Sequence, residues 1–445
     1  MQIVSNKILV ITGLFVMFSI TACKKWVDNS PQPLQVDESR VFSTEQGFRE
    51  TLNGVYLQMG SETLYGKELT MGVLSLAGRS FDVVNSAPLT TSKIHYQAAT
   101  FNFTAPEMKA YTTQVWIKMY QAIANLNNLL DNMEIHKALF TGNNYNTIKG
   151  EALALRAYLH FDLLRLFSPI DATANGIPYV KTISKEQTPS GTVASTLDQC
   201  IADLAEADVL LSPTDLTTSQ ITKWGVKGLM ARIYLYRGDK VKAAENALAV
   251  INSTKFTLTV ASNADLFFTK ESLFKLNIFA NSFIAYYKAM FGAPSVIGLS
   301  AAGKDAVYGT SALDYRKSFI DITTGNATGT PILPKKFTAT GANAFPMIRL
   351  TEQYYILAEC AADVPTGLIY LNQVRAARNL ITPLTTVNVP NVTALTTEIM
   401  NEYRKEFLGE GQMFFYYKRM NTPFTALPFT LPVAANPSYT FVRPE

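Results

Sequence analysis

Apolar residues recur every three or four positions along much of the chain, the spacing of helices that bury one face. Ser43-Thr44-Glu45-Gln46 reads as a capping box and opens a helix that places Phe48, Leu52, Val55 and Tyr56 on one side. A helix over about residues 107–133 carries Trp116, Tyr120, Ile123, Leu126 and Leu130. Another over 148–167 carries Leu155, Leu159, Leu163 and Leu166 and stops before Pro169. Two more are predicted at about 193–211 and 220–236. At Tyr236-Arg237-Gly238-Asp239, Gly238 can take the left-handed conformation that ends one helix, and Asp239 can cap the next. That next helix carries Ala243, Ala244 and Ala247, small enough for a neighbour to approach closely.

Two helices joined by a Gly-Asp turn resemble a tetratricopeptide repeat. A second such unit is predicted from 347–362 and 368–380, joined across Pro365 and Gly367, and a last amphipathic helix over 396–415. Helical periodicity is lost twice, over about 60–103 and 252–346, where Gly, Ser, Thr and aromatic residues mix. The fold class expected is therefore mainly α: a scaffold of helical hairpins winding as an α-α superhelix, interrupted by two long irregular excursions. Excursions of that size are where binding surfaces are commonly placed.

Composition limits the alternatives. The chain has 445 residues, 48% hydrophobic and 17% charged, enough to bury a large core. A net charge of +4 supplies no basic surface of the kind that dominates nucleic-acid binding, so no nucleic-acid partner is expected. His95, His136 and His160 are far apart, and Cys23, Cys200 and Cys360 have unrelated contexts. No zinc spacing can be built from them, and no metal or cofactor is expected. Cys200 and Cys360 read as buried free thiols, with a bridge between them left open.

The first residues read as an address. Lys7 is followed by an apolar run over 8–20, roughly thirteen residues and so short of the about twenty a membrane span needs. The run closes with Ile20-Thr21-Ala22-Cys23, which resembles a bacterial lipobox with Cys23 as the acylated first residue. Residues 1–22 are then a signal peptide, 23–41 a lipidated tether read as extended, and 42–445 a single domain. The two or more acyl chains expected there make a stable anchor.

Motif searches for catalysis give little. Glu406 and Glu410 share one helix face, whereas glycosidases flank the scissile bond from two sides about 5 Å or more apart, so a structural role is expected. Arg156 and Arg232 are expected to pair with a carboxylate such as Glu151 or Glu352. Gly298-Leu299-Ser300-Ala301-Ala302-Gly303 misses the G-x-S-x-G elbow by one residue. No catalytic residues are assigned, and the protein is not expected to be an enzyme.

Four blocks in order carry a resemblance: Lys149-Gly150-Glu151-Ala152-Leu153-Ala154-Leu155-Arg156-Ala157-Tyr158 with Gly176-Ile177-Pro178 after it; Lys227-Gly228-Leu229-Met230-Ala231-Arg232; Leu371-Asn372-Gln373-Val374-Arg375; and Glu406-Phe407-Leu408-Gly409-Glu410-Gly411. With the lipobox they resemble the SusD/RagB family of Bacteroidetes outer-membrane lipoproteins. The chain departs from the family pattern at Met413 and Tyr403, where arginines are usual, and spaces Arg375 and Arg378 one residue wider. The resemblance implies a nutrient-binding lipoprotein, anchored in the outer membrane and facing the cell exterior. Such proteins capture oligosaccharides or peptides for a SusC-like TonB-dependent transporter without cleaving them. A pure protein-interaction scaffold and a surface glycan hydrolase are the rival readings. Sugar faces stack on flat aromatic rings, and hydroxyls take contacts from Asp, Asn or Arg. Candidate ligand residues are therefore drawn from the two excursions: Arg79, Phe81, Asp82, His95 and Tyr96 in the first, and Tyr286, Tyr287, Tyr308 and Tyr315 in the second.

Overall fold

The protein is described here by a computed structural model covering residues 38–84, 93–291, 297–310, 312–320, 322–323, 332–335, 343–429 and 431–444. Cys23, the expected signal segment and most of the expected tether lie outside the described residues. The tether's last residues are not extended: Glu38–Val41 forms a single helical turn, α1.

In chain order there follow α2 (Glu45–Met59), α3 (Val73–Ala77), β1 (Val83–Val84), α4 (Ile94–Ala99), α5 (Pro106–Ile135) and α6 (Asn144–Phe167). Next come β2 (Asn175–Pro178), β3 (Ser190–Thr192), α7 (Val193–Leu210), α8 (Lys223–Arg237) and α9 (Lys240–Asn252). The second excursion holds β4 (Ser272–Asn277), α10 (Ala280–Phe291), β5 (Ile297–Gly298), α11 (Ala301–Tyr308), β6 (Ile322–Thr323), β7 (Ile332–Leu333) and β8 (Ala344–Arg349). The chain closes with α12 (Leu350–Cys360), α13 (Val364–Ala377), α14 (Val392–Glu406) and α15 (Gln412–Arg419). Helices dominate and pack along the chain: α5 on α6, α6 on α7, α8 on α9, α9 on α12 and α12 on α13. The paired-rod scaffold expected from periodicity is what forms.

Its details depend on single residues. Gly238 is left-handed at φ +89°, and the Asp239 carboxylate accepts from Lys242 N at 3.0 Å, as the turn motif requires. At α2 the expected capping box is absent. Thr44 is the cap and accepts from Gly47 N, but Gly47 has no side chain to return the bond. Glu45 instead accepts from Thr141 N and Oγ1, at 2.7 and 3.0 Å, tying α2 to the start of α6. Pro365 does not break the second hairpin but sits in the first turn of α13, where a missing N–H costs nothing.

Helix α6 is the axis of the core. From Gly150 to Phe167 every residue is buried, not only the leucine stripe. Its polar residues therefore need partners. Arg156 donates to Asp203 from Nε at 2.7 Å and Nη2 at 2.9 Å, rather than to Glu151, which pairs with Arg49 at 2.8 Å. Asp162 accepts from Tyr65 Oη at 2.7 Å, and Arg165 lies 3.6 Å over the Phe415 ring.

His160, fully buried, has Nδ1 2.8 Å from the Arg156 carbonyl while Nε2 accepts from Val180 N at 3.0 Å. Those partners fix the neutral tautomer. Burial pushes its pKa down to about 3, against 6.5 for a free histidine. The unfolded chain thus binds a proton between pH 6.5 and 3 that the folded chain refuses, and stability falls as pH falls through that window. The slope from this residue approaches about 1.4 kcal/mol per pH unit. Thermal melts of wild type and His160→Gln are expected to converge as pH drops from 6.5 to 4; a constant difference between them would exclude this linkage.

The first excursion is not a surface loop. Every residue from Leu64 to Phe81 is buried, and its backbone is partnered by successive turns, such as Tyr65 N to Met59 O at 3.0 Å and Leu69 N to Leu64 O at 2.9 Å. The second excursion is more regular than its sequence suggests. Strands β4 and β8 pair antiparallel from Ser272↔Arg349 to Asn277↔Ala344, so Met347 and Ile348 extend as strand and α12 starts at Leu350.

Candidate functional site

The β4–β8 ribbon stands against α8, and its far end forms one wall of a cavity of about 210 Å³. Phe267, Thr269, Lys275, Asn277, Asn343 and Pro346 line it. Alternation along β4 explains the lining: Phe274 and Leu276 face the core, while Lys275 is half-buried and Asn277 exposed. Asn343 is held by its own backbone oxygen, which accepts from Ile278 N at 2.6 Å, and by its side-chain amide on the Ile278 carbonyl. The volume is below the about 300 Å³ of ordinary ligand pockets, which suits one unit of a longer ligand.

Helix α10 packs against the Phe267 wall of this cleft. Phe283 fixes it, with its ring 6.2 Å from Phe267 and 5.5 Å from Phe345. Tyr286 and Tyr287 are half-buried on the same helix, and Phe279 and Ile284 are exposed at 72% and 52%. A short apolar helix with two half-buried tyrosines, tied through Phe283 to the wall of a cavity lined by an amine and two amides, offers ring faces and polar groups of the kinds that sugars contact.

The other expected ligand residues are placed elsewhere. Phe81 is buried edge-on against Phe291 at 5.5 Å and offers no open face. Asp82 accepts from Ser300 N at 2.8 Å and from Ser300 Oγ at 2.5 Å, holding the start of α11; with the β1–β5 pair it joins the two excursions. His95 Nε2 lies 2.9 Å from Glu68, whose carboxyl burial pushes up but His95 and Lys67 hold at about 2. Tyr96 packs half-buried on the core. Tyr308 is buried and donates to the Lys405 carbonyl at 2.9 Å, and Tyr315 donates to Thr259 O at 2.9 Å. Arg79 is buried beneath the C-terminal segment, away from the cleft lining. None of the nine candidates lines the cleft; Tyr286 and Tyr287 lie on α10, whose Phe283 packs against the lining residue Phe267. Sequence reasoning missed Lys275 and Asn277; the Phe274-Lys275-Leu276-Asn277 alternation was the available signal.

A buried ionic centre anchors the excursion that carries the cleft. Glu406 accepts from Arg316 Nη1 at 2.8 Å, Arg378 Nη2 at 2.9 Å and Arg349 Nη1 at 2.5 Å. Arg316 also donates to Asp314 at 2.7 Å and Glu402 at 2.8 Å, and Arg378 to Glu271 at 3.0 Å and to the Thr259 carbonyl at 2.7 Å. Glu410 accepts from Arg349 at 3.2 Å, so both carboxylates are structural, but they do not share a helix face: α14 ends at Glu406, and Glu410 lies in the turn before α15. Burial pushes the Glu402 carboxyl up, but Arg316, Lys405 and Arg375 hold it at about 2. The expected Arg232–Glu352 pair forms, at 2.6 Å, and Cys200 and Cys360 are both free.

Comparison with known proteins agrees with this architecture. A family model described as "Starch-binding associating with outer membrane" matches residues 25–235, and the SusD family model matches 262–428. A SusD-like protein of Formosa agariphila is 28% identical over 246 residues, 55% of this chain and 46% of that protein. A second from the same organism is 21% identical over 267 residues, 58% of this chain and 48% of that protein. The chain spans about half the length of these curated relatives. Among solved structures, a SusD superfamily protein from Bacteroides thetaiotaomicron superposes with TM-score 0.70 at 22% identity, covering 85% of this chain and 89% of its own. A SusD-like carbohydrate binding protein from Bacteroides vulgatus gives 0.68 at 23% identity, covering 85% and 83%. With the four sequence blocks, the helical-hairpin scaffold and two family models that between them take in most of its length, the chain belongs to the SusD/RagB family.

Proposed function

We propose that this protein is a lipid-anchored, outer-membrane binding protein, exposed at the cell surface, that captures an oligosaccharide in the cleft between the β4–β8 ribbon and α10. It then presents the ligand to a SusC-like TonB-dependent transporter without cleaving it. The observation that carries the reading is a cavity lined by Lys275, Asn277 and Asn343 whose Phe267 wall packs on Phe283 of α10, the helix that carries the half-buried Tyr286 and Tyr287. Flat aromatic area supplies most of the contact at low entropy cost, and donors at the cleft fix orientation. Affinity in the millimolar range needs only about 4 kcal/mol, which one stacked ring and two hydrogen bonds can supply. Glycoside hydrolysis calls for two carboxylates across the bond, whereas this cleft's polar lining is built from an amine, amides and hydroxyls. Cys23 is the proposed anchor, placing the protein beside a barrel in the same membrane.

The reading is tested by incubating the purified protein with a panel of oligosaccharides. Saturable retention of one glycan class with no shortened product is expected. Release of product would favour the hydrolase, and retention of none of the panel would favour a scaffold that binds protein alone.

A further inference from the structure

The proposed capture cleft is one-sided in charge. None of its described lining residues is an acid, and Lys275 is the charged group among them. Lys275 and Asn277 stand on the same face of β4. Across the ribbon they oppose Pro346 and Ala344, which bring neither charge nor a side-chain acceptor.

The surrounding chain keeps the same sign. From Asp265 through α10 to Phe291 there are two acids and three lysines. Both acids are occupied. Asp265 accepts from Phe267 N at 3.0 Å and from Thr269 N and Oγ1 at 3.1 and 3.0 Å, which closes its own turn. Glu271 is fully buried in the ionic centre, where it accepts from Arg378 Nη2 at 2.8 Å and Thr259 N at 2.7 Å. The lysines are not occupied. Lys270 and Lys288 are exposed, Lys275 is half-buried, and none of the three makes a salt bridge among the described residues. Elsewhere surface lysines find acids, as Lys149 does Glu134 and Lys242 does Glu245, each at 2.8 Å. With 39 basic and 35 acidic residues in the whole chain, an unbalanced trio at the cleft is a local feature. Cations left unpaired around a concave surface attract anionic ligands, and an amine bonds a charged acceptor more strongly than a neutral one.

We propose that the ligand is an acidic oligosaccharide, whose carboxylate or sulfate group sits against Lys275 within the field of Lys270 and Lys288. This rests on the capture reading above and narrows it to a ligand class. A cavity of about 210 Å³ takes one unit, so further charged units of the same chain remain outside it.

The test measures affinity of the intact protein for two matched pairs: tetragalacturonate against its carboxyl-reduced form, and a sulfated carrageenan tetrasaccharide against its desulfated form. At about 0.05 M salt the charged member is expected to bind about fivefold tighter, the upper end for a part-exposed ion pair. The gap should close at about 0.5 M salt, where screening is short-ranged. A gap in the first pair assigns a carboxylate, and one in the second a sulfate. Lys275→Met should close the gap and Lys275→Arg should keep it. Lys242→Met, on α9 and outside the lining, should also keep it. Equal affinities within both pairs, or a gap that survives Lys275→Met, would overturn the acidic ligand while leaving capture in place. Retention of no member of either pair would sink the capture reading itself, and this inference with it.

Discussion

Glu406→Ala is expected to destabilise the protein by about 3–5 kcal/mol, the cost of leaving buried charge uncompensated. Glu406 is 1% exposed and takes donors from three guanidiniums at once, Arg316, Arg349 and Arg378. Removing it leaves those cations sharing Glu271, Glu402, Glu410 and Asp314, at distances set for a balanced cluster. Glu406→Gln keeps one acceptor but not the charge, so a smaller loss is expected. Urea midpoints of the three proteins give the order directly. The loss is expected to be uneven, because Glu271, Asp314 and Arg316 belong to the excursion, Arg349 ends β8, and Arg378, Glu402 and Glu406 sit on or at the end of scaffold helices. Protease cleavage should therefore rise first near residues 259–320. Acid acts on the same cluster. Burial pushes the Glu406 carboxyl up, but Arg378, Arg349 and Arg316 hold it well below its ordinary value, and Glu402 sits at about 2. Both groups are depressed, so their contribution is full above the unfolded value of about 4.5 and is lost as pH falls through the folded value.

Gly411→Ala is expected to cost about 3 kcal/mol or more. Gly411 is left-handed at φ +74°, which an L side chain adopts at about 1–2 kcal/mol. A Cβ there would meet Leu69 O at 2.6 Å and Leu74 Cβ at 3.2 Å. Leu69 lies in the fully buried part of the first excursion, so its carbonyl cannot swing aside. Gly238→Ala is the control: φ is +89° but nothing lies within 4 Å of the added carbon, so only the conformational cost of about 1–2 kcal/mol is expected. A denaturation difference between the two variants measures how tightly α15 is seated on the buried excursion. Equal costs would show that Leu69 yields.

Gly411 also marks where periodicity misleads. The stretch over 396–415 reads as one amphipathic helix, yet the chain bends between Glu406 and Gln412, with Gly409 and Gly411 both left-handed at φ +74°. The long helices α5, α6, α7 and α8 were legible because an apolar stripe sustained over several turns arises from little besides a helix packed on one face. What lies opposite the stripe was not: Arg156, His160, Asp162 and Arg165 look like a polar face, and only the partners brought by other segments show that α6 is buried all round. The cleft was illegible for a related reason. Its wall is made by pairing 272–277 with 344–349, strands remote in sequence, and the short alternation over 274–277 does not tell which segment it pairs with. The aromatic residues of the excursions were ambiguous because Phe81 and Tyr308, which complete the core, look in sequence like Tyr286 and Tyr287, which stay half-buried on α10.

Titration of the retained oligosaccharide against wild type, Lys275→Met and the Tyr286→Ala/Tyr287→Ala double variant tests the placement of binding most directly. Loss of one ring stack, at about 1 kcal/mol or more beyond area, together with its buried surface is expected to weaken binding by about tenfold. Lys275→Met should weaken it by about fivefold for one lost hydrogen bond, with melting temperatures near that of wild type in both. Affinities equal to wild type in both variants would contradict capture in the cleft between β4–β8 and α10.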